Sequence, residues 1–120
     1  MAEIIDVRNT QLRTIIKDQS LAVDFKTDII DFKEMNVAFI QAVTTIQPDA
    51  FDGVFSIVVS IVCYPDTYVP YPDSERTLNT DCNNFGWNFC CVPFRYARVC
   101  YTANSVTTGT IDIYARAKRT

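Results

Sequence analysis

The chain has no histidine in its 120 residues. That removes the side chain that most often serves as general base, and the usual partner of a nucleophilic Ser or Cys. It holds only three glycines, so no Gly-rich phosphate loop is present and the turns must rest on Asn, Asp and Pro. Long apolar runs are also missing. The longest, residues 54–63, is about half of the roughly 20 residues a membrane helix needs. The chain starts acidic, with Glu3 and Asp6, and no apolar run follows before residue 30. Neither a secretion signal nor membrane insertion is expected.

Five cysteines are present, at positions 63, 82, 90, 91 and 100. An odd count with an adjacent pair does not form a disulfide framework. Cys90 and Cys91 should diverge, because neighbours on a strand point to opposite faces. No two cysteines have the spacing that lets two thiolates grip one zinc ion. Structural thiols, with no metal and no cofactor, are expected. Asp24, Asp28 and Asp31 lie close enough in sequence to raise a carboxylate-pair hydrolase. Acids at strand ends and turns are normally solvated, however, and the chain reads as a non-enzyme.

Hydrophobic residues make up 48% and charged residues 21% of the chain, which are globular values. At this length one domain can bury roughly two thirds of its unfolded surface. The net charge is -3, unsuited to a dedicated nucleic-acid binder. The charge is unevenly placed. Residues 1–93 carry 6 Lys/Arg against 13 Asp/Glu, and residues 94–120 carry 5 Lys/Arg against Asp112 alone.

Alternation dominates the pattern. In residues 21–25, Leu21, Val23 and Phe25 share a side. In residues 37–45, Ala38, Ile40, Ala42 and Thr44 oppose Val37, Phe39, Gln41 and Val43. Residues 54–63 carry one apolar face of Phe55, Ile57, Val59 and Ile61, with small Ser56 and Ser60 opposite. Pro65, Pro70 and Pro72 bar a regular central strand from the next twenty or so positions, and the sheet restarts at residues 85–89. In residues 95–103, Ala97, Val99 and Tyr101 point inward. Residues 104–109 read as a hairpin connection, with Gly109 free to take a positive φ. In the last strand Ile111, Ile113, Ala115 and Ala117 face in, and Asp112, Tyr114, Arg116 and Lys118 face out. Arg98 and Arg116 would then form a basic stripe on adjacent strands.

Seven or eight short strands at this spacing imply an all-β, single-domain antiparallel β-sandwich, jelly-roll-like. Residues 1–20 are the least patterned and read as an N-terminal arm ending in a strand. With little core of its own, the arm should order on a partner. The sandwich domain is expected over residues 21–120.

The order of the pieces resembles that of small bacteriophage virion proteins with a jelly-roll or β-sandwich fold. The resemblance is carried by Ile30 and Asp31, the run Phe39-Ile-Gln-Ala-Val43, Asp52 and Gly53, the long strand over 54–62, and Trp87. It continues in Phe94-Arg-Tyr-Ala-Arg-Val-Cys-Tyr-Thr102, Gly109 and Thr110, and the closing strand over 111–118. The loop after the long strand departs from the family pattern, with Tyr64, Pro65 and Tyr68 in place of small polar residues. Such proteins decorate capsids, form head fibres or sit on tails, often as homotrimers. The resemblance thus implies a non-enzymatic structural protein located on the virion and made in the host cytoplasm. Other virion proteins and further copies of the chain, a trimer being favoured, would be its partners.

Tyr64, Tyr68, Tyr71 and Trp87 are the candidate contact residues. Rigid aromatic rings on a proline-stiffened loop give contact area at low entropic cost. The same rings, if exposed, would also suit a carbohydrate-binding module for surface attachment to a host glycan. Trp87, on a restarting strand, is better suited to the core than to contact, and the tyrosines can pack against the sheet with only their hydroxyls wet.

Overall fold

The computed structural model describes residues 3–7, 12–62, 64–80, 83–90 and 92–119. Among these residues eleven strands and one 3-10 turn follow in chain order: β1 (Ile4–Asp6), β2 (Arg13–Ser20), β3 (Phe25–Lys26), β4 (Ile29–Asp31), β5 (Val37–Ile46) and β6 (Val54–Ser60). After the 3-10 turn (Pro65–Thr67) come β7 (Val69–Pro70), β8 (Arg76–Thr77), β9 (Asn84–Cys90), β10 (Tyr96–Thr102) and β11 (Thr110–Lys118).

They form two sheets. One runs β1-β4-β10-β6-β7, with β3 also on β10 and β8 also on β6; the other runs β2-β11-β5-β9. Two pairs of short strands are single strands interrupted midway. β3 and β4 both lie antiparallel to β10, and β7 and β8 both lie antiparallel to β6. Within each interruption a side-chain hydroxyl takes over the ladder. Thr27 Oγ1 accepts the Val99 N–H at 3.0 Å, and Ser74 Oγ accepts the Ile57 N–H at 3.0 Å. Counting each interrupted pair once leaves eight strands that switch between sheets in the order of a jelly roll, with β1 as an added parallel edge strand.

The alternation read from the sequence fills the space between the sheets. Ile40, Ala42, Ile111 and Ile113 from one sheet meet Phe55, Ile57, Ala97 and Val99 from the other, each fully buried. Phe55 is the hub of the rings, with centroids 4.6 Å from Tyr101, 5.5 Å from Phe85 and 6.4 Å from Trp87. The packing is close around Gly53, where an added Cβ would come 2.4 Å from the Tyr101 hydroxyl.

Several expectations change in the folded chain. The N-terminal segment is no free arm. β2 is a full edge strand on β11, β1 pairs with β4, and Val7 and Ile15 are buried in the core. Residues 21–23 form a turn instead of part of an alternating strand; Leu21 is buried while Val23 is exposed. Residues 104–109 are not a hairpin connection, because β10 and β11 belong to different sheets. Ala103 and Val106 bury their side chains within this arch, which crosses from one sheet to the other. Asp112, expected outward in water, is buried. Its Oδ1 accepts the Asp18 N–H at 2.7 Å where a register shift interrupts the β2–β11 ladder. Ile61 lies beyond the end of β6 and is 73% exposed.

Candidate functional site

The exposure of Ile61 begins the site. β6 ends at Ser60, whose Oγ accepts the Val62 N–H at 3.2 Å and lies 2.7 Å from Thr67 Oγ1. Thr67 closes the 3-10 turn, its N–H donating to the Tyr64 carbonyl at 3.1 Å. These short-range bonds satisfy the backbone locally and turn Ile61 and Val62 outward. The chain returns through Val69 and Pro70 to pair again with β6, and the Tyr71 N–H donates to the Ile57 carbonyl at 2.8 Å.

Between these walls lies an open groove of about 550 Å³, lined by Ile61, Val62, Val69, Pro70, Tyr71, Pro72, Pro93 and Phe94 with neighbours from β6. Two of its lining rings, Tyr71 and Phe94, pack edge-to-face with each other and with the buried Phe89. Tyr71 sits 5.0 Å from Phe89 and 5.6 Å from Phe94, and Phe89 and Phe94 are 5.4 Å apart. The prolines fix φ along the walls, so the groove is stiff before anything binds.

A second concavity of about 510 Å³ adjoins it, sharing Ile61, Pro93 and Phe94 and adding Phe32, Lys33, Glu34, Met35 and Arg95. Ile61 is the ridge between the two. On this side Asp31 accepts from Arg95 twice, Nε at 3.1 Å and Nη2 at 3.2 Å, and also from the Lys33 N–H at 3.0 Å. The Arg95 guanidinium rests 4.9 Å from the centre of the Tyr96 ring. The trough is apolar, and the concavity beside it is charged.

The four candidate aromatic residues divide. Tyr71 lines the groove. Tyr64, 68% exposed, flanks the 3-10 turn on one side and half-buried Tyr68 flanks it on the other. Trp87 is in the core at 2% exposure, its Nε1–H donating to the Ser74 carbonyl at 2.6 Å and its ring facing the Arg76 guanidinium at 5.7 Å. Its ring is therefore not open to a ligand. Sequence reasoning missed Ile61, Val62, Val69 and Phe94 as surface or groove residues. Ile61 and Val62 continue the apolar alternation of β6, and only the Ser60–Thr67 contact shows where the strand stops.

The carboxylates raised from the sequence bond within the fold, and so does Asp49. Asp24 Oδ1 accepts the Ala103 N–H at 2.7 Å, and Asp28 Oδ1 accepts the Glu3 N–H at 3.3 Å. Asp49 accepts the N–H groups of Thr107 and Thr108 at 2.9 and 3.1 Å and the Thr107 hydroxyl. These bonds, the hydroxyl's first, hold its carboxyl down at about 2. Arg98 and Arg116 do not form the expected stripe. They lie on β10 and β11, in opposite sheets, and Arg98 Nε donates to the Thr27 carbonyl at 2.8 Å.

Cys90 is an exposed free thiol and Cys100 a half-buried one, the latter pushed up in pKa by burial. Cys63, Cys82 and Cys91 lie outside the described residues, and so does the expected divergence of Cys90 from Cys91. Among the described residues, no three His, Cys, Asp or Glu side chains gather as a metal site. Among the same described residues, no helix is long and apolar enough to cross a membrane. Compared with models of protein families and with curated proteins, the chain matches none.

Proposed function

We propose that this chain is a non-enzymatic structural protein of a bacteriophage virion. It would decorate the capsid, or form part of a head fibre or tail, by protein–protein contacts. The observation that carries the reading is the trough around Ile61. Four of the exposed large apolar side chains, Ile61, Val62, Tyr64 and Val69, fall in this one segment. Three of them, Ile61, Val62 and Val69, line a stiff groove with no carboxylate or amine on its walls. Such a surface loses little on desolvation and gains by burying a partner's apolar side chain. The jelly-roll strand order supports the reading, since virion subunits are among the proteins that use it, although a fold by itself does not fix a function.

The runner-up, a carbohydrate-binding module, rests on the exposed Tyr64 ring. Burial of Trp87 takes from it the ring best suited to stack on a sugar.

The test is co-sedimentation of the purified chain with phage particles stripped of it. The Ile61→Asp variant should lose particle binding while keeping its urea midpoint, because the side chain it replaces is mostly solvated. Unchanged particle binding by Ile61→Asp would overturn the assignment of the trough. Failure of the wild type to bind particles, together with glycan binding that Tyr64→Ala abolishes, would move the function to sugar recognition.

A further inference from the structure

Among the described residues the two sheets end in four edges, and three carry features that resist pairing with another chain. β1 is three residues long and ends in Asp6. β7 is two residues long and contains Pro70. β2 is long, but it carries Arg13, Lys17 and Asp18 and is broken by register shifts against β11. Short length, proline, charge and bulges are the devices by which native sheets blunt their edges.

The fourth edge has none of them. β9 runs seven residues, Asn-Phe-Gly-Trp-Asn-Phe-Cys, without a charge or a proline. It pairs with β5 without a register shift and ends its sheet. On an edge strand every second residue turns its N–H and C=O away from its one neighbour, and these groups need a partner or water. The side chains alternate cleanly, with Phe85, Trp87 and Phe89 buried and Gly86, Asn88 and Cys90 exposed. The Phe39 ring lies over Gly86, within 2.8 Å of where a Cβ would stand. The outer surface beside the edge is thus partly apolar as well as uncharged.

We propose that β9 is a self-association edge, on which two copies of the chain join antiparallel about a twofold axis into one continuous eight-stranded sheet. The occupant is a second copy because, among the described residues, β9 is the one sheet edge that can meet itself without like charges or a proline in register. A twofold contact is also closed, so it stops at two chains. A dyad near Trp87 sets Asn88 of each copy opposite Gly86 of the other. It also carries the buried aromatic row of Phe85, Trp87 and Phe89 across the junction. The inference goes beyond the virion reading and does not depend on it. It concerns a different surface from the Ile61 trough, and it gives an order of two where the family resemblance implied three.

The experiment is the native mass of the purified chain by light scattering across a concentration series. It compares wild type with the double variant Asn88→Lys, Cys90→Lys. Both positions are exposed, and the variant crowds positive charge across the dyad. The wild type should reach twice the 13.6 kDa chain mass, and the variant should dissociate at a concentration about tenfold higher or more. Amide exchange gives a second readout that needs no variant. Protection of residues 85–90 should rise with protein concentration, and protection of β2 should not. A wild type that stays monomeric throughout, a dimer the variant leaves intact, or concentration-independent exchange at β9 would each overturn the proposal. Loss of particle binding by Ile61→Asp with the dimer retained separates the two surfaces.

Discussion

Thr27 bonds Val99 in both directions from a single residue. Its backbone N–H donates to the Val99 carbonyl at 2.9 Å, and its side-chain Oγ1 accepts the Val99 N–H at 3.0 Å. The hydroxyl thereby continues the ladder across the gap between β3 and β4, in a buried position. Thr27→Val keeps the shape and leaves the Val99 N–H without this acceptor. It should cost about 1–3 kcal/mol, measured as a shift in urea midpoint at unchanged slope. Thr27→Ser should recover most of the loss.

Ser74 does the same work on the other interrupted strand, bonding Ile57 N–H and carbonyl at 3.0 and 3.3 Å while its own carbonyl holds Trp87. Ser74→Ala should destabilise by a similar amount, about 1–3 kcal/mol. It should also shift Trp87 fluorescence as the segment above the indole loosens. An unchanged emission maximum with an unchanged midpoint would show that water replaces the hydroxyl at no cost.

Asp49 makes part of the stability depend on acid pH. Its carboxyl is held at about 2, below the ordinary 3.8, so the unfolded chain takes up its proton more readily than the folded one. The contribution is present in full above 3.8 and is lost as the pH falls toward 2. Asp49→Asn should therefore be less stable than wild type at about pH 5 and approach it at about pH 2 in urea titrations. A gap between the two proteins that does not narrow with acid would contradict this role.

Gly53 is a packing glycine. An added Cβ meets the Tyr101 hydroxyl at 2.4 Å and Leu78 Cδ1 at 2.8 Å, and the same hydroxyl donates to the Leu21 carbonyl at 2.8 Å. Gly53→Ala should cost about 1–3 kcal/mol by overpacking, read from thermal unfolding. Combining it with Tyr101→Phe should be less than additive, because the two changes share one contact.

Removal of residues 1–20 tests whether this segment is an arm or part of the sandwich. It takes β2 from its sheet and the buried Val7 and Ile15 from the core, side chains whose burial contributes about 1.5–3 kcal/mol each. The truncated chain should lose its cooperative thermal transition by circular dichroism. A truncated chain that melts as the whole one does would restore the picture of a dispensable arm.

Local pattern and tertiary context contributed different things. The period-two alternation of residues 38–42, 55–59, 97–101 and 111–117 depends only on side chains pointing to opposite faces of a strand, so the buried face could be read directly. The two-sheet class followed from the number and spacing of such runs. Alternation carries no record of which strand lies beside which. For that reason residues 104–109 looked like a hairpin and proved to be an arch between sheets, and Arg98 and Arg116 came to lie on opposite sheets. The sequence also gives no sign of where a strand stops when the next residues are apolar too. The Ser60–Thr67 contact, seven residues apart in sequence, ends β6 and puts Ile61 on the surface.

The site was legible in the same partial way. The proline-rich loop marked itself by composition, and Tyr71 does line the groove. The opposite wall and part of the floor come from Pro93 and Phe94, distant in the chain and set there by the return of β10 beside β6. Trp87 read from the sequence as better fitted to the core than to contact, and its bond to the Ser74 carbonyl holds it inside. By itself, then, the sequence determined an all-β chain, its buried faces and its stiff aromatic loop, because these depend on residues near one another. Only the tertiary structure decided strand order, strand ends, and which apolar side chains remain in water. Each of those is settled by contacts between segments that local sequence does not link.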